Sequence, residues 1–228
     1  GVLLGGLVGA GLLIPAKNES ESLPMVLDEI RELNCEKKII LSSDDFETIN
    51  AIRNYDVEII YQKNLGYGDA LINGINETQT EYFCIFNADG SFMPTEIYNM
   101  INYLEKTGSD FIFGSRYQDN SGSEDDTIIT LIGNKIFTLI GNIFFNLQIT
   151  DILYTFVVGK TVNAKKLNLK KKDFAFCVEL PIKAKKENMI IKSFSCYERK
   201  RFAGTKKVNA LRDGFIILIQ MLKFLFKK

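Results

Sequence analysis

Short apolar runs alternate with amphipathic stretches through the first half of the chain. The runs read "GLLIP" at Gly11–Pro15, "KKIIL" at Lys37–Leu41, "VEIIY" at Val57–Tyr61, "YFCIF" at Tyr82–Phe86 and "DFIFG" at Asp110–Gly114. Between them the spacing predicts helices over about Ser20–Leu33, Phe46–Arg53 and Gly68–Glu77. In the first of these, Leu23, Val26, Leu27 and Ile30 share one face. A further helix follows Pro94, a residue suited to a first helical turn. This alternation implies an α/β fold, with a mostly parallel sheet covered by helices on both faces.

The second half is patterned differently. "TIITLIGNKIFTLIGNIFFNL" (Thr127–Leu147) is apolar on more than one face, as in a core helix or one lying against a membrane or partner. It follows the polar, acidic stretch "DNSGSEDD", which reads as a mobile loop. A basic linker at Lys165–Lys172 and a strand near "MIIKSFSCYE" precede "RKRFAGTKKV" and a last amphipathic helix over 208–228. That helix places Leu211, Phe215, Leu218, Ile219, Leu222 and Leu225 at helical spacing, with lysines near its end. Its broad apolar face suits peripheral contact with a membrane surface.

Composition narrows the options. A chain of 228 residues can bury one sizeable core. Its 28 basic and 28 acidic residues balance, so charge points to no nucleic-acid partner. The absence of His rules out His-based triads and His metal ligands, leaving oxygen donors that favour Mg²⁺ or Mn²⁺. Cys35, Cys84, Cys177 and Cys196 show no metal spacing and read as free thiols of a reducing cytoplasm. The apolar N-terminal segment 1–10 is shorter than a membrane span and lacks the basic start of a signal peptide. The pattern assigns it no element.

In open α/β sheets, ligands bind beyond the carboxyl ends of the strands. The residues there include polar groups in every case. They are Pro15, Ala16, Asn18 and Glu19, then Ser42–Asp45, then Gln62, Lys63, Asn64 and Gly66, then Asn87, Ala88 and Asp89, then "GSRY" at Gly114–Tyr117. Asn87 and Asp89, two apart in an extended chain, share one side and can address one cation.

Six segments in order, "LLIPAKNESESLPMVLDEI", "NLGYGDALINGI", "YFCIFNADGSFMPTEI", "DFIFGSRY", "TDILYTF" and "RFAGTKKV", resemble a family-2 glycosyltransferase. They are most similar to the dolichyl-phosphate mannose synthase-like branch. The resemblance covers about Leu12 to Leu211. It implies a GT-A fold over 11–207, with a donor-binding half at about 11–117 and an acceptor-side half at about 118–207. It also implies a UDP- or GDP-linked sugar donor, Mg²⁺ or Mn²⁺, inversion at the sugar carbon, and a polyprenyl-phosphate acceptor.

Carried over by position, the resemblance places Pro15, Ala16, Asn18 and Glu19 in the nucleotide pocket. It has Gly66 and Gly68 admit the next helix close to the donor, and it puts Asn87 and Asp89 on metal and diphosphate. Arg116, Arg201 and Lys207 then converge on phosphates. The chain departs from the pattern at Lys17, Asn87, Thr155 and Val157. It also has Ser42-Ser43 where Asp-Asp is usual, with the donor-side candidate Asp44 two places late. Asp151 and Glu179 are acceptor-side candidates should the acceptor need a base. Two other readings stand beside a transferase: a degenerate relative that binds nucleotide without turnover, and a nucleotidyltransferase.

Overall fold

The computed structural model describes residues 9–205 and 209–226. In the first half, β1 (Ala10–Pro15), β2 (Glu36–Leu41), β3 (Glu58–Tyr61), β4 (Tyr82–Ile85) and β5 (Phe111–Ser115) are joined by helices. These are α1 (Ser22–Glu29), α2 (Phe46–Ala51), α3 (Tyr67–Glu77) and α4 (Pro94–Thr107). The second half adds β6 (Gly122–Ser123), α5 (Ile128–Phe145), β7 (Val157–Lys160), α6 (Thr161–Lys166) and α7 (Phe176–Lys186). Then come β8 (Ile191–Ser195), β9 (Tyr197–Glu198) and α8 (Ala210–Phe226).

The main sheet runs β3-β2-β1-β4-β7-β5-β8. All pairings are parallel except those of β7, which is antiparallel to both β4 and β5. The mostly parallel α/β sheet expected from the alternation is therefore present. β7, from the second half, lies between two strands of the first. Val157, where the family pattern has a basic residue, opens that strand, pairs with Ile85 and Phe113, and is buried.

Alternation along each strand feeds two cores. Leu13, Ile40, Ile85 and Phe113 face α3, α7 and α8, while Leu12, Ile14, Ile39, Leu41, Cys84 and Ile112 face α1 and α4. α4 shows how these helices form. Pro94 opens it, Gly108 closes it at φ 64°, and Ile97, Met100, Ile101 and Leu104 are buried between. α1 ends earlier than its periodicity predicts, because the Leu33 N–H turns back to the Ile30 carbonyl.

α5 reverses that arrangement. Its buried residues are Asn134, Thr138 and Gly141. Ile128, Ile129, Ile132, Ile136, Leu139, Ile143 and Phe144 are exposed by half or more. The helix packs against α7 and α8. Among the described residues of α8, Ile217 and Met221 are fully buried, while Phe215, Leu218 and Leu222 are exposed. Two adjacent helices thus present apolar side chains to the surroundings.

Candidate active site

The carboxyl ends of β1, β2 and β4 meet at one rim. Asn18, at φ 50°, turns the chain after β1, and its N–H donates to Asp45 at 2.7 Å. Asp45 also accepts from Thr48 N and so caps α2. Glu19 lies beneath this turn: its N–H donates to the Thr48 hydroxyl at 3.0 Å, and its carboxylate accepts from Ser22 at 2.6 Å. Asp44, the donor-side candidate, is exposed beside them.

After β4 the chain makes a tight turn. The Asp89 carboxylate accepts from Ser91 N at 3.0 Å, and the Asn87 amide group donates to the Ser91 hydroxyl at 3.4 Å. Gly90 sits at φ 82°, and a Cβ there would lie 2.3 Å from the Phe202 ring. Only glycine meets both demands. The segment carrying "RKRF" is laid across this turn: Arg199 N donates to Ser91 O at 3.0 Å and Phe202 N to Asp89 O at 2.8 Å. The Arg199 guanidinium stacks 4.5 Å from the Phe202 ring and pairs with Glu29.

This crossing brings Arg201 over the rim. Its guanidinium lies 3.5 Å from Asp89 and 3.1 Å from Asp125. Burial disfavours its charge, but the Asp125 hydrogen bond and the charges of Asp89, Asp125 and Glu19 outweigh that and raise its pKa. Asp125 belongs to the acidic stretch that reads as a mobile loop in the sequence. Here the stretch is tied down by the β6–β9 ladder, by Glu124 N to Glu198 O at 2.8 Å, and by Tyr197 Oη to Glu124 at 2.9 Å. Asp125 and Arg199 were not singled out by the sequence; the acidic run was the one available signal for the first.

Several expected site residues are engaged elsewhere. Arg116, at the carboxyl end of β5, is held in a cluster of ion pairs. It makes a two-point contact with Asp151, at 2.8 and 3.1 Å, and reaches Glu198 at 3.1 Å. The reason is Asp151, wholly buried and in need of a counter-charge. It also accepts from Asn134 of α5 and from the Arg116 and Tyr154 N–H groups. Burial works against the Arg116 charge, yet Asp151 and Glu198 outweigh it and raise its pKa. Arg116 and Asp151 therefore fasten α5 to the sheet.

Glu179, an acceptor-side candidate from the sequence, lies in the first turn of α7, buried. It accepts from the N–H groups of Lys170 and Lys171 and pairs with Lys183 at 2.8 Å, bracing the basic linker. That linker fills the space expected beside the donor at α3. A Cβ on Gly66 or Gly68 would lie 2.1 Å from the carbonyl oxygen of Lys172 or Lys171. The two glycines thus admit the chain's own backbone. Lys207 lies outside the described residues.

The residues present suit a hard divalent cation in part. Asp89 offers a carboxylate oxygen, and Asn87, with its amide turned to Ser91, offers its carbonyl oxygen. Among the described residues no group of three or more carboxylates or thiols is close enough to hold an ion alone. Two protein oxygens completed by diphosphate oxygens and water match the habits of Mg²⁺ and of Mn²⁺. A surface hollow of about 600 Å³ runs along β8, but none of Asn87, Asp89 or Arg201 lines it.

A parallel-rich sheet with its polar rim at β1, β2 and β4, crossed by a basic segment, is the architecture of a GT-A protein. The sequence profile of Glycosyl transferase family 2 matches residues 12–167, and the chain belongs to that family. It is 30% identical over 109 residues to an uncharacterized glycosyltransferase of Mycobacterium bovis. The match takes in 46% of this chain and 47% of that protein, so the chain spans about half the length of the curated relatives it matches. Among solved structures it resembles glucosyl-3-phosphoglycerate synthase from Mycobacterium tuberculosis, determined with Mn²⁺, UDP and glucosyl-3-phosphoglycerate. There the TM-score is 0.74 at 13% identity, over 97% of this chain and 80% of that one. Mannosyl-3-phosphoglycerate synthase from Rubrobacter xylanophilus gives 0.67 at 15% identity, over 94% and 72%. At such identities the likeness is one of fold.

Proposed function

We propose that the chain transfers a sugar, with inversion, from a nucleoside-diphosphate donor to a lipid-borne phosphate at a membrane surface. The observation that carries the acceptor is the outward apolar face of α5 and α8. Patches of that size mark interaction sites. Lys135 and Lys223 are exposed on the same two helices, and Lys171 sits 6.0 Å from the Phe224 ring. Cations bordering an apolar face suit an anionic bilayer. α5 is long and apolar enough to cross a membrane. Crossing would tear Asn134 from Asp151, so the reading places it along the surface, on the cytoplasmic side where the four free thiols remain reduced.

Both helices start close in sequence to the rim: α5 three residues after Asp125, and α8 nine after Arg201. A lipid held on that face presents its phosphate toward the donor. Such an acceptor is already anionic and needs no strong base. That accords with Asp151 and Glu179, the two carboxylates open to that role from the sequence, both being tied into ion pairs.

Asn87 and Asp89 would hold the cation, Mg²⁺ or Mn²⁺, which when bound offsets the charge developing on the departing diphosphate. Arg201 adds a planar fork for phosphate oxygens. The nucleotide reading draws on relatives of this fold that were solved with UDP. The test is turnover of UDP- or GDP-sugars with Mn²⁺ and a polyprenyl phosphate in anionic vesicles. We expect Asp89→Ala to lower turnover by roughly 10²-fold or more, the scale of losing a key electrostatic stabiliser. Full activity in excess chelator overturns the cation reading. Equal turnover with a water-soluble acceptor, together with no flotation on vesicles, overturns the lipid reading. No turnover of any donor, with nucleotide binding intact, favours the degenerate relative that Asn87 and Ser42-Ser43 raise.

A further inference from the structure

The contact among Arg201, Asp89 and Asp125 places a fixed positive charge beside the very carboxylate assigned to the cation. We propose that Arg201 is a resident placeholder for that cation and that Asp125 is a positioning residue which draws it off. This rests on the reading of Asn87 and Asp89 as the cation seat.

The geometry supplies the argument. Asp89 uses one oxygen on Ser91 N, and its other oxygen lies 3.5 Å from the Arg201 guanidinium. A divalent ion approaching that oxygen meets the guanidinium and must displace it. Arg201 has somewhere to go. Its shorter contact, 3.1 Å, is to Asp125, which is carried by a separate segment and held by the β6–β9 ladder. The Arg201 backbone is pinned on either side by Arg199 N to Ser91 O and Phe202 N to Asp89 O, so only its side chain need swing.

Arg201 therefore has two successive partners. Before the donor arrives it neutralises Asp89, sparing a partly buried carboxylate an unpaired charge. When a nucleoside diphosphate brings its own negative charge with the cation, the guanidinium passes to the phosphate oxygens while Asp125 keeps it in reach. Cation alone competes with Arg201; cation together with diphosphate recruits it. Binding of the two is positively coupled through one side chain, and such coupling is reciprocal.

The test is Mn²⁺ binding by electron paramagnetic resonance, with and without UDP, in the whole chain and in Asp89→Ala, Arg201→Gln, Arg201→Lys, Asp125→Asn and the double variant. Arg201→Gln should tighten binding of Mn²⁺ alone about tenfold, by removing a charge at contact distance. The same variant should weaken UDP at saturating Mn²⁺ by about tenfold, because a charge-assisted contact is lost. Arg201→Lys, which keeps the charge, should stay near wild type for Mn²⁺ alone. Asp125→Asn should weaken Mn²⁺ alone by severalfold, and that effect should shrink to about twofold or less once Arg201 is Gln.

If Arg201→Gln leaves Mn²⁺ affinity unchanged while Asp89→Ala abolishes it, the placeholder is wrong and the cation seat stands. If Asp89→Ala binds Mn²⁺ like wild type, the seat itself is wrong. An Asp125→Asn loss that persists undiminished in the double variant makes Asp125 a ligand and overturns its positioning role. Thermal melts of each variant separate these outcomes from misfolding.

Discussion

α4 and α5 are helices of similar length built on opposite plans. α4 buries Ile97, Met100, Ile101 and Leu104 and turns its polar residues to water. α5 buries Asn134, Thr138 and Gly141 and turns out seven large apolar side chains. Burying one such side chain is worth about 1.5–3 kcal/mol, so leaving seven in water forgoes on the order of 10 kcal/mol. The polar side is held by specific bonds: Asn134 to Asp151, Thr138 Oγ1 to Asn134 at 3.3 Å, and Ile152 N to Thr138 at 3.2 Å. The difference teaches where each helix finds its apolar surroundings. α4 packs its apolar side chains against the sheet, and α5 leaves its own on the surface of the domain.

The contrast can be broken most sharply in the two cores. Leu104→Asp in α4 puts an unpaired charge in a fully buried site and should cost at least about 4 kcal/mol in urea unfolding. Asp151→Asn should cost about 3 kcal/mol by the same measurement, since Arg116 is then left half-paired in a buried position. A stability loss under 1 kcal/mol there denies the network its role in holding α5. On the outer face the expectation reverses. Replacing Ile132, Ile136, Leu139 and Ile143 together by Ser should shift stability by about 1 kcal/mol or less. It should nevertheless abolish flotation on anionic vesicles. Wild-type sedimentation as a tight dimer, lost in this variant, would mean that a second copy covers the face instead.

The smallest effect concerns acid. Asp126, at the start of α5, accepts from the hydroxyls of Tyr117 and Thr130. Burial alone would raise its pKa, but those hydrogen bonds and the Arg116 charge outweigh it, and the net direction is down. A carboxylate held low in the fold stabilises it above the ordinary Asp value near 3.8 and loses that contribution as pH falls through the folded value. Asp126→Asn should therefore flatten the acid limb of the stability curve, leaving the neutral range little changed. An unaltered acid limb would place the acid sensitivity elsewhere.

The sheet and its rim were legible because both rest on local rules. Short apolar runs marked β1 to β5, Pro94 opened α4, and the polar residues after β1, β2 and β4 stand at one edge. What was not legible depends on partners distant in sequence. Arg116 reads as a phosphate contact until Asp151, thirty-five residues on, is found buried beside it. Glu179 reads as an acceptor-side carboxylate, yet it is buried in α7 beside Pro181 and paired with Lys183. Gly66 and Gly68 announce a close approach, and composition alone does not say that the approaching chain is residues 171–173. The apolar breadth of Thr127–Leu147 announced an unusual helix, and only its neighbours decide which side faces in.

The position of β7 also sets an order of events for the chain as it is made. β5 has β7 and β8 as its neighbours, and the outer edge of β4 has β7. Until Val157–Lys160 has left the ribosome, Tyr82–Ile85 has one unpaired side and Phe111–Ser115 has two. Such edges are templates for pairing with other chains, and contacts this distant in sequence form slowly. Nascent chains that have reached α5 carry open strand edges and an apolar helix at the same moment. Assembly beside a bilayer, or under the cover of a chaperone, shortens the time both are bare.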